Sequence, residues 1–292
     1  MGKFRLRGRR RKRRDAERSV ERIPLRAIVP NLVTSMAACA GMTSISLSSE
    51  GRYKSALFAL LVACICDGMD GRIARLLKAS SKLGAELDSL ADFVNFGVAP
   101  AMFMYYWLTG GPVHIGASGS IAHATVRLVL GGALFYALCD CFRLARFNTM
   151  LEQPPLPYWK HFFTGVPAPG GCWMVLSPAM AAIELDALGV APGLVAFLRH
   201  PATGVFMLVF VGMLMASRLP TISLKSVRIK KKFLLPVMAG ILLLVVPLVC
   251  DFWLTLSVVG LLYIFTVPLT AAIFVKVRSS YQGGLTFEAN KG

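Results

Sequence analysis

Apolar residues in this chain gather into runs of roughly 17 to 25, separated by shorter polar segments. That is the length a helix needs to cross a hydrocarbon layer about 30 Å thick. A helix of a soluble domain would instead repeat its apolar positions every three or four residues. Eight runs stand out, at roughly 27–48, 54–78, 86–108, 122–145, 163–184, 198–217, 233–250 and 252–275. The sixth is short and follows Pro201. The last two form one apolar stretch from Phe233 to Val275, interrupted by Asp251, where a tight turn is expected. The pattern predicts an all-α polytopic membrane protein with about eight transmembrane helices.

Composition agrees with this pattern. The 292 residues are 55% hydrophobic and 16% charged, against about a quarter charged in soluble domains. The formal charge of +17 is unevenly placed: residues 1–26 alone hold twelve Lys or Arg, six of them in the run Arg9 to Arg14. With both termini inside, 28 of the 32 Lys and Arg fall on the cytoplasmic side, leaving Arg52, Lys54, Arg127 and Arg199 at the outer face. This asymmetry obeys the positive-inside rule and calls for an even number of spans. The expected organisation is a basic cytoplasmic arm (1–26), a transmembrane core (27–217) and a basic cytoplasmic loop (218–232). Two additional spans (233–275) and a cytoplasmic tail (276–292) follow. The arm is read as an orienting segment in front of a retained first helix, with no specific nucleic acid as partner. No organelle-targeting pattern is evident, so a bacterial inner (cytoplasmic) membrane fits best.

Seven cysteines lie in or beside apolar runs, and four scattered histidines form no metal-binding spacing. Both are read as structural. Any metal chemistry must therefore use oxygen ligands. The oxygens are concentrated in one place. The end of run two and the start of run three read Asp67-Gly-Met-Asp70-Gly71-Arg-Ile-Ala74-Arg75, then eight residues, then Gly84-Ala-Glu-Leu-Asp88-Ser-Leu-Ala-Asp92. On a helix, Asp67, Asp70, Gly71, Ala74 and Arg75 fall within about 140° of one face. Gly84, Asp88 and Asp92 line another stripe at i, i+4 and i+8. The short connection makes the two helices antiparallel neighbours, able to turn both stripes into one cleft. Four carboxylates there repel one another and are costly near hydrocarbon, and Arg75 balances only one. Hard cations, Mg²⁺, Mn²⁺ or Ca²⁺, suit the remaining charge, and a pair of ions would suit displacement at phosphorus. The small residues Gly71, Ala74 and Gly84 either let a phosphate-bearing ligand approach the backbone or let helices pack closely.

The spacing D-x₂-D-G-x₂-A-R-x₈-G-x₃-D-x₃-D resembles the signature of the CDP-alcohol phosphotransferase family, matched here at every position. The resemblance implies a six-helix core and a reaction in which an alcohol attacks the lipid-bound phosphorus of a CDP-linked donor and CMP leaves. It implies Asp67, Asp70 and Asp88 as metal ligands. Asp92 would be the catalytic base for the acceptor hydroxyl and also a ligand of a second ion. Gly71, Ala74, Arg75 and Gly84 would contact the nucleotide and its diphosphate. It also implies a homodimer, with Mg²⁺ or Mn²⁺ as cofactor.

Residues 25–235 further resemble the phosphatidylserine synthase branch of that family. The segments are Pro30-Asn31-Leu-Val-Thr34, Asn95-Phe-Gly-Val-Ala-Pro100, Phe142-Arg143-Leu-Ala-Arg146-Phe-Asn148 and Ser217-Arg218-Leu-Pro220-Thr-Ile-Ser-Leu-Lys225. Asn95 stands where the branch has serine. The likeness implies CDP-diacylglycerol and L-serine as substrates, beside membrane lipids. Asn31 and Thr34, one turn apart, would hydrogen-bond the nucleotide or diphosphate, although Asn31 also suits a helix cap after Pro30. Arg143 and Arg146, also one turn apart, offer the fork that grips a carboxylate, or they anchor a helix end to lipid phosphates. The acceptor's ammonium group has no evident partner beyond Glu86 or backbone carbonyls. Other acceptors of the family are glycerol 3-phosphate, an inositol phosphate or choline. A divalent-cation transporter would need carboxylates near mid-membrane on several spans, and a non-catalytic scaffold would not need Asp92.

Overall fold

The computed structural model describes residues 25–79, 81–110, 120–150, 162–217, 220–222, 234–267 and 270. The basic arm up to residue 24, most of the loop 218–232 and the tail 276–292 lie outside the described residues. The chain is predominantly helical. In order come α1 (Leu25–Ser49), α2 (Tyr53–Leu76), α3 (Lys82–Asp92), a π-helical turn (Phe93–Val98), α4 (Ala99–Thr109) and α5 (Ser120–Met150). Then follow β1 (Phe162–Thr164), α6 (Ala168–Ala187), α7 (Pro192–Leu198), α8 (Pro201–Ala216), β2 (Pro220–Ile222) and α9 (Leu234–Cys250). The last described helix is α10 (Phe252–Val267).

Contacts between side chains sort the helix ends into two layers. At one end Thr34 of α1 bonds Asp70 of α2, Asn148 of α5 bonds Ser89 of α3, and Arg146 of α5 bonds the last carbonyls of α8. At the other end the Tyr53 hydroxyl donates to the carbonyl of Tyr106 (3.0 Å), and Lys54 pairs with Glu184 (2.9 Å). Arg199 reaches Asp186 there at 3.8 Å. Helices α1, α2, the α3–α4 unit, α5, α6 and α8 thus alternate in direction, and Asp251 breaks the last apolar stretch between α9 and α10.

The core lies where α4, α6 and α8 meet, filled by Phe103, Met104, Met174, Leu176, Met180, Leu208 and Met215. Small residues bring helices together: a side chain at Gly212 of α8 would press on the α5 backbone at Tyr136. Large apolar residues also face outward, among them Leu32, Met36, Phe58, Leu134, Leu138, Phe206, Leu242 and Leu243. An outward apolar belt of that extent needs lipid around it. Residues 28–49 and 123–149 each form a helix long and apolar enough to cross a membrane, and α7 with α8 make a third such unit, bent by 54°. The protein is membrane-integral.

Three local features differ from the pattern-based expectation. The third run is not one regular helix but α3 and α4 joined through the π turn. Its start is earlier than 86, because Ser81 caps α3 by accepting from the Gly84 N–H at 3.0 Å. The sixth run is bent before Pro201, whose missing N–H cannot extend the helix from α7. A two-stranded antiparallel ribbon also forms, pairing Phe162 with Ile222 and Thr164 with Pro220. Its backbone groups satisfy each other where two helix ends leave them open.

Candidate functional site

The site sits at the layer where α1 begins, α2 ends and α3 begins. One carboxylate oxygen from each of Asp67, Asp70 and Asp88 can be chosen so that all lie within 4.8 Å of one another. Asp70 is buried, Asp67 half-buried and Asp88 partly open. The Asp92 carboxyl lies against that of Asp67, extending the acidic group one turn further along α3. Two helices that bring four acids together in this way create strong mutual repulsion unless cations enter.

Each acid is held differently. The Thr34 hydroxyl of α1 reaches Asp70 Oδ2 at 2.6 Å and also lies 3.1 Å from the carbonyl of Pro30. The Gly71 N–H donates to Asp70 Oδ1. By contrast, Asp67 Oδ1 is buried with no hydrogen-bond partner among the described residues. An orphaned, buried carboxylate oxygen facing two further carboxylates fits a hard divalent ion. The residues present therefore suit a resident metal.

Beside the acids lies a cleft of about 250 Å³. Asp70 and Asp88 form one wall, with Gly71, Ala74 and Arg75 from α2, Gly84 from α3, and Asn31 and Thr34 from α1 around them. The structure thus gathers Asn31, Thr34, Asp70, Gly71, Ala74, Arg75, Gly84 and Asp88 around one space. Helix α1 starts at Leu25, so Asn31 lies in its second turn and does not cap it. The two glycines divide between the roles open to them. A side chain at Gly71 would meet only the Arg75 guanidinium, at 4.0 Å, so that surface faces open space. A Cβ at Gly84 would sit 2.9 Å from Asn31 Oδ1 and 3.1 Å from the Ser81 hydroxyl, so Gly84 permits the close approach of α1 to α3. Arg75 donates from Nε to the Gly71 carbonyl at 3.1 Å, which aims its guanidinium along the cleft.

Two consequences are testable. Thr34→Val keeps the shape but removes the donor to Asp70. Loss of a partner that orients a metal ligand typically weakens metal affinity about 10–100-fold, so the Mn²⁺ concentration for half-maximal activity should rise by that factor with little change at saturation. Gly84→Ala drives Asn31 from its place. A displaced polar contact worth about 1.4 kcal/mol is a tenfold change, so the KM for the nucleotide-bearing substrate should rise about tenfold, measured in steady-state assays.

Arg143 and Arg146 lie on the same end of α5, and both are engaged with backbone. Arg143 Nε donates to the Val166 carbonyl (2.8 Å), and its Nη1 lies 3.7 Å from Asp140 Oδ1. Arg143 also feels the charge of Asp92. Arg146 places Nη1 and Nη2 on the carbonyls of Ala216 and Ser217, both at 2.9 Å. This clamp closes over Gly165, whose φ of +80° and tight surroundings exclude a side chain. Of the two arginines, Arg143 stands nearer the acidic cluster and Arg146 ties α5 to the end of α8.

Sequence reasoning did not single out Asp140, which is fully buried one turn from Arg143, or Tyr136, whose hydroxyl donates to the Phe96 carbonyl at 2.9 Å. An acid inside an apolar run was itself the available signal for Asp140. For Tyr136 the signal was indirect: Pro100, four residues after Phe96, has no N–H to give the Phe96 carbonyl that Tyr136 takes up.

An acidic, metal-suited cleft at the ends of antiparallel membrane helices, walled by glycine and alanine, marks a class of membrane protein built around a cation site. The chain belongs to the CDP-alcohol phosphatidyltransferase family, whose sequence model matches residues 27–185 and so takes in every residue of the cleft. Among its relatives is the CDP-diacylglycerol–serine O-phosphatidyltransferase of Mycobacterium leprae (strain TN). It is 43% identical over 151 residues, 51% of this chain and 45% of the relative. The enzyme of that name from Mycobacterium tuberculosis (strain ATCC 25618 / H37Rv) is 42% identical over 146 residues, 49% and 46% of the two chains. That from Bacillus subtilis (strain 168) is 34% identical over 152 residues, 51% of this chain and 75% of the relative. The match thus spans about half the length of the mycobacterial relatives.

Proposed function

We propose that this protein transfers the phosphatidyl group of CDP-diacylglycerol to the hydroxyl of L-serine, giving phosphatidylserine and CMP. The observation that carries the reading is the convergence of Asp67, Asp70 and Asp88 on one another beside a cleft that Asp70 and Asp88 line together with Gly71, Ala74, Arg75 and Gly84. Relatives named for that reaction support the choice of donor and acceptor.

In this reading Asp67, Asp70, Asp88 and Asp92 hold divalent metal, Mg²⁺ or Mn²⁺ and two ions in all. Bound there, the ions would draw charge from the diphosphate oxygens as the leaving group departs. Thr34 and the Gly71 N–H fix Asp70 for that task. Asn31, Thr34, Gly71, Ala74, Arg75 and Gly84 receive the cytidine nucleotide, with Arg75 placed to meet a phosphate oxygen. Asp92 takes the proton of the serine hydroxyl as its oxygen bonds to the lipid-side phosphorus. The bond from that phosphorus to the bridging oxygen breaks, and the bridging oxygen leaves as part of CMP. Arg143, near enough to Asp92 to feel its charge, binds the serine carboxylate, and Arg146 joins it at that end of α5 while holding the α5–α8 clamp.

The topology that accompanies this reading is multi-pass with eight spans, in the inner membrane. Both termini and the active site face the cytoplasm, where the basic segments 1–26, 218–232 and 276–292 cluster. Residues 27–217 form the catalytic core, 233–275 add two spans, and the enzyme works as a homodimer. The test is purified protein in detergent or vesicles with CDP-diacylglycerol and Mn²⁺ or Mg²⁺, given one alcohol at a time. CMP release with L-serine alone supports the assignment. Release only with glycerol 3-phosphate, an inositol phosphate or choline moves the enzyme to another acceptor.

A further inference from the structure

Asp140 is the one fully buried carboxylate among the described residues, and it lies outside the four-aspartate group. Neither of its oxygens has a hydrogen-bond partner there. The cation facing it is Arg143, 3.7 Å away and one helical turn along α5. The turn after Asp92 is shaped to receive this carboxylate: a Cβ at Gly97 would lie 2.8 Å from Asp140 Oδ2, and 3.0 Å from the Phe93 ring. Tyr136 pins the same turn through the Phe96 carbonyl. Tyr136, Asp140 and Arg143, at i, i+4 and i+7, therefore present one face of α5 to the segment that follows Asp92.

A buried carboxylate is costly unless a cation balances it, and an apolar residue would fill the same space without that cost. Asp140 leaves the packing of the core to others and places a negative charge behind a guanidinium. Among the described residues Arg143 donates one hydrogen bond, from Nε to the Val166 carbonyl, and it exposes 14% of its side chain. Its Nη1 makes no hydrogen bond among the described residues, so the charge of Asp140, 3.7 Å away, is what draws that edge of the planar fork and sets the direction of its remaining N–H groups.

We infer that Asp140 is a positioning residue for the acceptor, holding the Arg143 guanidinium in the orientation that receives the carboxylate of the amino-acid substrate beside Asp92. The inference rests on the reading of Arg143 as the acceptor-binding residue. It makes acceptor affinity depend on a group that never touches the acceptor.

The experiment is steady-state kinetics on the purified full chain for Asp140→Asn, Gly97→Ala, Arg143→Ala and the Asp140→Asn/Arg143→Ala pair. Asp140→Asn removes charge at constant shape. It should raise the KM for L-serine about tenfold, the loss expected when one charge-assisted contact is misaligned, with kcat within about threefold and the KM for CDP-diacylglycerol unchanged. Gly97→Ala, whose new methyl crowds the same oxygen, should give the same split. The double variant should add little to Arg143→Ala, because the two residues act as a unit. A wild-type KM for L-serine in Asp140→Asn and Gly97→Ala, with a raised one in Arg143→Ala, overturns the role of Asp140 alone. A wild-type value in Arg143→Ala overturns the acceptor reading beneath it. Should Asp140→Asn fail to fold, Gly97→Ala decides the matter by the same split.

Discussion

Asp92→Asn protein is expected to bind CDP-diacylglycerol nearly as well as wild type but to release CMP about 10²–10⁴-fold more slowly, the usual contribution of a positioned general base. Asp92 is the last carboxylate of the α3 stripe, it lies against Asp67, and Arg143 is near enough to feel its charge. An amide of the same shape leaves the cleft lined by Gly71, Ala74 and Gly84 intact, so nucleotide affinity survives. The proton of the acceptor hydroxyl then has no place to go. Raising Mn²⁺ to saturation should not restore turnover, which separates loss of the base from weakened metal binding. A scaffold that merely bridges lipids through its basic arm would be indifferent to this change.

The second large effect concerns the metal-free protein as much as the active one. Asp67 offers a buried oxygen without a hydrogen-bond donor, beside two other carboxylates. Asp67→Asn removes a charge that is repelled in the apo state and required in the loaded state. Its activity should fall by at least about three orders of magnitude, since metal stabilisation of developing charge is worth several kcal/mol and 1.4 kcal/mol is tenfold. Its thermal stability should move the other way. The metal-free variant should unfold at a higher temperature than metal-free wild type. Wild type should gain stability with Mn²⁺ concentration, as mass action requires of a ligand bound only by the folded state. Asp67→Asn should gain almost none, and a thermal-shift titration in detergent reads both trends.

Periodicity made the core of this site legible. The aspartates fall on two stripes because 3.6 residues per turn put i, i+3 and i+4 on one face, and a short connection left the two helices only one way to lie. Charge asymmetry likewise sets Arg52, Lys54 and Arg199 apart from the other basic residues, and the contacts of Lys54 and Arg199 lie at the end away from the acids. What escaped depends on partners remote in sequence. The donor that Thr34 gives to Asp70 joins residues 36 positions apart, and the grip of Arg146 on Ser217 joins residues 71 apart. Neither can be read from spacing. The π turn at 93–98 looks like ordinary helix in its residues; Pro100, lacking the N–H that the Phe96 carbonyl would meet, was visible, but its partner Tyr136, 40 positions away, was not. The earlier start of α3 was present in the sequence as Ser81 three residues before Gly84, a capping signal masked by the weak apolar character of that first turn. The ribbon of 162–164 with 220–222 is a purely tertiary event, since three residues of either strand form nothing alone.

Every role assigned above presumes that the acids of α2 and α3 surround cations. Anomalous diffraction at the manganese edge, from crystals grown with Mn²⁺ and CDP-diacylglycerol, observes this directly. The account predicts strong peaks bounded by the carboxylates of Asp67, Asp70, Asp88 and Asp92, with the diphosphate against them. Density for the nucleotide without manganese among those four residues, or manganese bound only elsewhere, would contradict it.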